Sequence, residues 1–99
     1  MFKITHGKGF HMTFENGVTV SVQFGAGNYC DNHDADFPLD IPKSTVSSNA
    51  EIAIWDKSNK WITTEFMDKG DDVLGWLTPE EVLKALNWAS SYKVESPNE

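Results

Sequence analysis

No arginine occurs in this chain. All eight basic residues are lysines, set against fifteen Asp and Glu for a formal net charge of −7. Without a guanidinium there is no forked contact to phosphate or guanine, and no arginine finger for phosphoryl transfer. An acidic chain also gains little from counterion release, so direct nucleic-acid binding is not expected. Cysteine is almost as scarce. A single residue, Cys30, permits no intramolecular disulfide, which fits a reducing cytoplasm. No apolar run approaches the roughly 20 residues of a membrane-spanning helix, and Met1 to Thr5 lacks the apolar core of a signal peptide. No membrane partner is expected. Repeats, low-complexity tracts and linkers are also missing, so residues 1–99 are read as a single domain.

What is present suffices for a core: 39% of the residues are hydrophobic and 12% aromatic. The organising stretch is Phe10 to Phe24, FHMTFENGVTVSVQF. A two-residue Asn16-Gly17 turn would set Glu15 opposite Val18 and mix apolar and polar residues on both faces. A three-residue loop, Glu15-Asn16-Gly17, instead pairs Phe14 with Val18, Met12 with Val20 and Phe10 with Val22. All of these apolar residues then share one buried face, with His11, Thr13, Thr19, Ser21 and Gln23 on the other. A one-residue slip inverts a strand's faces, so burial selects the three-residue loop, with Gly17 left-handed at its third position.

A second hairpin is expected over Glu51 to Phe66, turning at Lys57-Ser58-Asn59 with Asn59 left-handed. Trp55 then faces Trp61, Ile54 faces Ile62 and Ile52 faces Thr64. Ile52, Ile54, Ile62 and Phe66 point to the core, and Trp55 and Trp61 form a cross-strand pair on the opposite face. Met67 to Asp72 reads as an acidic turn. Thr78-Pro79-Glu80-Glu81 is a capping box, with Leu77 and Val82 as its hydrophobic staple. It opens a helix from Pro79 to about Tyr92 whose inner face is Val82, Ala85, Leu86 and Ala89. The fold class is α+β: an antiparallel sheet of two hairpins packed on one C-terminal helix. Met1 to Thr5 is a candidate fifth strand at the edge, and the tail 94–99 is expected to fray.

Residues 25–49 are irregular in composition and too long for an idle connection. Phe37-Pro38-Leu39-Asp40-Ile41-Pro42 reads as an extended stretch on the core rim. Cys30-Asp31-Asn32-His33 has the spacing of half a zinc site, which His6 and His11 could complete. The plainer reading makes Cys30 a small buried hydrophobe anchoring the loop. Asp31, Asp34, Asp36 and Asp40 lack the glycine and terminal glutamate of an EF-hand, so a solvated acidic rim is the simpler account. A Cys30/His33 nucleophile pair is disfavoured, because residues three apart on an extended chain point to opposite sides. No catalytic residue, metal or cofactor is assigned. Gly7-Lys8-Gly9 is followed by a strand rather than a helix, so it is no phosphate loop.

The stretches GFHMTFENGVTVSVQFGAGNYCDN, AEIAIWDKSNKWIT and LTPEEVLKALNWAS, spanning Gly9 to Ser90, resemble a group of small phage and prophage proteins without assigned activity. Gly25 to Cys30, with its GxGNYC pattern, is the most specific part of the likeness. The resemblance implies a bacterial cytoplasm during infection, where small acidic phage proteins often bind and inhibit host factors, defence systems included.

The reading is therefore a non-enzymatic binding module that inhibits a host protein, one handling nucleic acid or serving defence, with acidic side chains mimicking phosphate. The candidate binding residues are Asn28, Tyr29, Asp31, Asn32, His33, Asp34 and Asp36 on the long loop, and Trp55 and Trp61 on the sheet. Two alternatives stand beside it. One is a sequestering protein that wraps a nucleotide-like ligand in Gly25 to Asn32, using backbone amides, Asn28 and a stacking Tyr29. The other is a small metalloprotein or enzyme using Cys30 and His33. Monomer and homodimer are both open.

Overall fold

The computed structural model describes residues 1–5, 9–25, 28–31, 33 and 46–93. Five strands among them form one antiparallel sheet in chain order: β1 (Phe2–Thr5), β2 (Gly9–Thr13), β3 (Thr19–Gln23), β4 (Ala50–Trp55) and β5 (Val73–Leu77). A single helical turn, α1 (Thr63–Phe66), lies between β4 and β5, and α2 (Pro79–Ser90) follows β5. The architecture is α+β, and the N-terminal edge strand is present. No helix among the described residues is long and apolar enough to cross a membrane. The extended stretch expected at Phe37 to Pro42 and the tail 94–99 lie outside the described residues.

The first hairpin has the three-residue loop. Phe10 pairs with Val22, Met12 with Val20 and Thr13 with Thr19, and the Phe14 N–H donates to the Val18 carbonyl at 2.9 Å. Gly17 sits at φ 82°, where a side chain would be strained. A Cβ there would also lie 2.5 Å from the Cβ of Lys57. The buried face needs one correction. Val18, Val20 and Val22 are buried, but Phe10, Met12 and Phe14 are only half-buried. The reason is lateral: α2 packs chiefly over β3, β4 and β5, so the β1–β2 half of that face receives less cover.

The second hairpin begins as expected and then stops. Trp55 and Trp61 form a bridge, the Ile62 N–H donates to Ile54 O at 2.9 Å, and Asn59 is left-handed at φ 64°. Thr63–Phe66 then coil, so Ile52 faces Leu74 of β5 instead of Thr64. Two features end the strand. The Thr63 hydroxyl accepts the Ile54 N–H at 2.9 Å, standing in for a strand backbone. β5 then supplies Leu74 and Leu77, both buried, beside β4. The core that results joins Val18, Val20, Val22, Ile52, Ile54 and Ile62 to Ala85 and Ala89 of α2, with Phe66 and Leu86 packed against it. Ile52, Ile54 and Ile62 are fully buried, as expected of them.

The N-terminus of α2 carries the anticipated capping box. The Glu81 N–H donates to the Thr78 hydroxyl at 3.2 Å, and the Thr78 N–H to the Glu81 carboxylate at 3.0 Å. The helix ends at Ser90, two residues before the expected Tyr92, and its C-terminus is closed by the first hairpin. The Asn16 amide donates to Ala89 O at 2.9 Å and to Tyr92 O at 3.0 Å, while its oxygen accepts the Val18 N–H at 3.0 Å. One side chain therefore holds the hairpin loop and satisfies carbonyls that a following glycine more often serves. Asn16→Ala is expected to cost about 1 kcal/mol in urea denaturation. Asn16→Asp is expected to cost more, because it sets a carboxylate against carbonyl oxygens at the negative end of the helix. Equal stability of the two variants would refute this role.

On the sheet face opposite α2, polar ladders replace the core. Thr13 and Thr19 share a hydroxyl bond of 2.8 Å, and the Gln23 amide donates to Thr5 Oγ1 at 2.8 Å and Ser21 Oγ at 3.2 Å. Thr19 and Ser21 are buried, yet no buried side-chain polar atom among the described residues lacks a partner.

Candidate recognition site

Beyond β3, Gly25 and Asn28 are bonded to each other. The Gly25 N–H donates to Asn28 Oδ1 at 3.1 Å and the Asn28 N–H to Gly25 O at 3.2 Å. Cys30 is buried, with its thiol toward Gly25 O at 3.7 Å. It acts as the small hydrophobic anchor of this segment. Asn28 therefore shapes the turn, and its amide also reaches Glu51 at 3.4 Å. The other oxygen of Glu51 accepts the Tyr29 N–H at 2.9 Å.

Glu51 also lies opposite an irregularity in β5. Ile52 pairs with Leu74 and Ala50 with Leu77, so Glu51 alone spans Gly75 and Trp76. This is a β-bulge, a device that bends a strand and re-aims a side chain. Trp76 takes φ 54°, a left-handed conformation that is a genuine outlier for a bulky aromatic. Its N–H leaves the ladder and donates to Tyr29 O at 2.8 Å. Gly75 is needed for close approach, since a Cβ there would lie 2.6 Å from the Cβ of Tyr29.

The outcome is an aromatic cluster at the β5 edge. The Tyr29 ring lies 5.6 Å from Trp76 and 5.7 Å from His33, at interplanar angles of 26° and 12°, and His33 lies 6.4 Å from Trp76. Trp76 is 55% exposed and Tyr29 45%. Behind the cluster Asp31 clasps the chain that enters β4. Its carboxylate accepts the Ser48 N–H at 3.1 Å, the Ser48 hydroxyl and the Asn49 amide at 2.9 Å. The Asp31 N–H in turn donates to Asn49 Oδ1 at 2.7 Å.

The Ser48 hydroxyl, then the Ser48 amide and Asn49, hold the Asp31 carboxyl below the ordinary aspartate range, with a lesser desolvation opposing them. The ionised carboxylate is the form that accepts these bonds. The clasp is complete above the ordinary aspartate value of about 3.9 and is lost as pH falls through the depressed folded value. An NMR titration of the Asp31 carboxyl carbon is expected to move together with the Ser48 amide, at a midpoint below that of free aspartate. A midpoint at or above the free value would show the clasp to be incidental.

The loop residues thus divide. Tyr29 and His33 join the cluster, Asp31 forms the clasp, and Asn28 shapes the turn, while Asn32, Asp34 and Asp36 lie outside the described residues. Cys30 and His33 are separated in role: the thiol faces the interior and the imidazole stacks on Tyr29. Among the described residues, no group of three His, Cys, Asp or Glu is placed to hold a metal ion. The second candidate surface is also formed. Trp55 and Trp61 pack at 5.4 Å and 60°, and His11 meets Trp55 edge-on at 5.1 Å. Trp55 is half-buried and Trp61 exposed.

Sequence reasoning missed Trp76, Gly75 and Glu51. A glycine inside the apolar run Val73 to Leu77 was the available signal, since such a glycine marks a bulge or a close backbone approach. Neither family models, nor curated protein sequences, nor solved structures yield a match to this chain.

Proposed function

We propose that this protein is a non-enzymatic binding module whose recognition surface is the Tyr29–His33–Trp76 cluster. In this reading it blocks a host protein of the bacterial cytoplasm by stoichiometric binding, and its acidic surface suits the basic face of a factor that handles nucleic acid or serves defence. The observation that carries the reading is Trp76. A bulky residue in a left-handed conformation costs about 1–2 kcal/mol, and such strain clusters where function requires it. Here the strain serves to hold an indole out in solvent beside a second exposed ring. Exposed tryptophan and tyrosine are the residue types that dominate binding hot spots.

The nucleotide-sequestering alternative fits less well. The backbone amides of Tyr29 and Asp31 and the Asn28 side chain, which that ligand would need, are already bonded to Glu51, Asn49 and Gly25. Glu51 and Asp31 would also repel its phosphate.

The test is affinity capture from a bacterial lysate with the wild type, Tyr29→Ala, Trp76→Gly and Trp55→Ala side by side. One host protein held at fixed stoichiometry by the wild type and Trp55→Ala, and lost by the two cluster variants, is the expected result. Capture lost through Trp55→Ala alone would move the surface to the tryptophan pair. Capture indifferent to all three, or no capture at all, would end the proposal.

A further inference from the structure

The sheet has an open edge whose chemistry differs from that of the aromatic cluster. Met1 and Thr13 exchange both backbone bonds at 2.8 Å. Antiparallel pairs alternate, so the bonded pairs of β1 and β2 are Met1/Thr13, Lys3/His11 and Thr5/Gly9. The N–H and C=O groups of Phe2 and Ile4 therefore point away from β2, on a side where no described strand lies. Their side chains share the face of Phe10 and Met12, which α2 covers least, and are 70% and 80% exposed. Phe2 meets Phe10 edge-on at 6.2 Å, and Phe10 lines an apolar cleft of about 290 Å³ beside Val82, Leu83 and Leu86. The exposed apolar surface thus runs from the strand edge to the helix.

Edge strands are usually blunted by charge or shortness. β1 is short and carries Lys3, yet it shows two large apolar side chains to solvent. We propose that β1 is a strand-addition site for an extended segment of another protein, one with apolar residues flanking a carboxylate. Two backbone-bonded positions, Phe2 and Ile4, would receive the segment, its apolar side chains would lie beside theirs, and its carboxylate would stand across from Lys3 on the opposite face. Strand addition works in this way, main-chain bonds giving affinity and alternate side chains giving selectivity. Lys3 weighs against a second copy as occupant. The two-fold register that uses both positions of β1 pairs Phe2 with Ile4 and sets Lys3 directly opposite its own counterpart, where like charges are destabilising, while pairing Phe2 or Ile4 with itself engages only one of the two positions within β1.

The test uses the full chain, labelled with nitrogen-15, and an end-blocked nonapeptide alternating valine and threonine around one central glutamate. Amide shifts concentrated in residues 2–5, with slowed exchange at the Phe2 and Ile4 amides, are expected. A lysine-centred peptide should bind about tenfold more weakly, and Lys3→Glu should invert that preference. Lys3 is exposed, so the swap leaves the core untouched. Shifts confined to the aromatic cluster or the cleft, no binding, or a preference indifferent to Lys3→Glu would each overturn the proposal. A peptide-free dimer with slowed Phe2 and Ile4 amides would also overturn it, by giving the edge to a second copy.

Discussion

Thr63→Val is expected to lower stability by about 2 kcal/mol, although it keeps the shape of the side chain and makes it more apolar. Thr63 is fully buried, and its hydroxyl accepts the Ile54 N–H at 2.9 Å. Valine cannot accept, and a buried donor left alone costs about 1–3 kcal/mol. The Ile54 carbonyl is spared, because the Ile62 N–H already serves it at 2.9 Å. Thr63→Ser keeps the acceptor and loses one buried methyl, roughly 1 kcal/mol. Serine should therefore be the better replacement. Thermal unfolding is expected to fall by about 10 °C for valine and roughly half that for serine, at some 4–8 °C per kcal/mol for a domain of this size. A valine variant as stable as the serine one would show that the N–H finds another partner.

The same residue explains where sequence reading stopped. The first hairpin was legible to its register because two rules agreed: one buried face, and a glycine where the loop needs a left-handed residue. Asn59 carried the same signal for the second turn, and Trp55 to Ile62 follow it. Past Ile62 the two-residue spacing of Ile62 and Phe66 around Thr64 suits a strand, and nothing local says that Thr63 will bond sideways to Ile54. That bond is a tertiary event. β5 was hidden for a related reason. Its alternation is broken by the extra residue of the bulge, so Leu74 and Leu77 fall three apart, a helical spacing, while both face the core. The cluster was half legible. Tyr29 and His33 stood out in a loop too long to be idle, but their partner Trp76 lies more than forty positions away, brought in by the pairing of β4 with β5. Asn16 shows the limit from the other side: its place in the turn is legible locally, but its reach to Ala89 and Tyr92 depends on where α2 ends.

Trp76→Gly is expected to leave the fold almost as stable and to remove at least about 30-fold of partner affinity. At φ 54° the indole imposes left-handed strain of about 1–2 kcal/mol, which glycine does not carry. Against that relief stands the lost contact with Tyr29, worth about 0.5–1.5 kcal/mol. The added backbone freedom of glycine in a strand costs roughly 0.5–1 kcal/mol more. These contributions largely cancel, so unfolding midpoints should move by only a few degrees. Nothing cancels in the complex. A central aromatic of an interface is worth about 2 kcal/mol or more, which is roughly 30-fold in Kd. Trp76→Phe retains both a ring and the strain, and should keep most of the affinity with no gain in stability. Trp55→Ala makes the contrasting case: Trp55 is half-buried between His11 and Trp61, so its loss should lower stability and leave affinity per folded molecule intact. Calorimetry with the captured partner, beside urea denaturation of each variant alone, separates the two effects. If Trp76→Gly unfolds the protein while the folded fraction still binds at full strength, the strained indole is structural and the cluster is not the recognition surface.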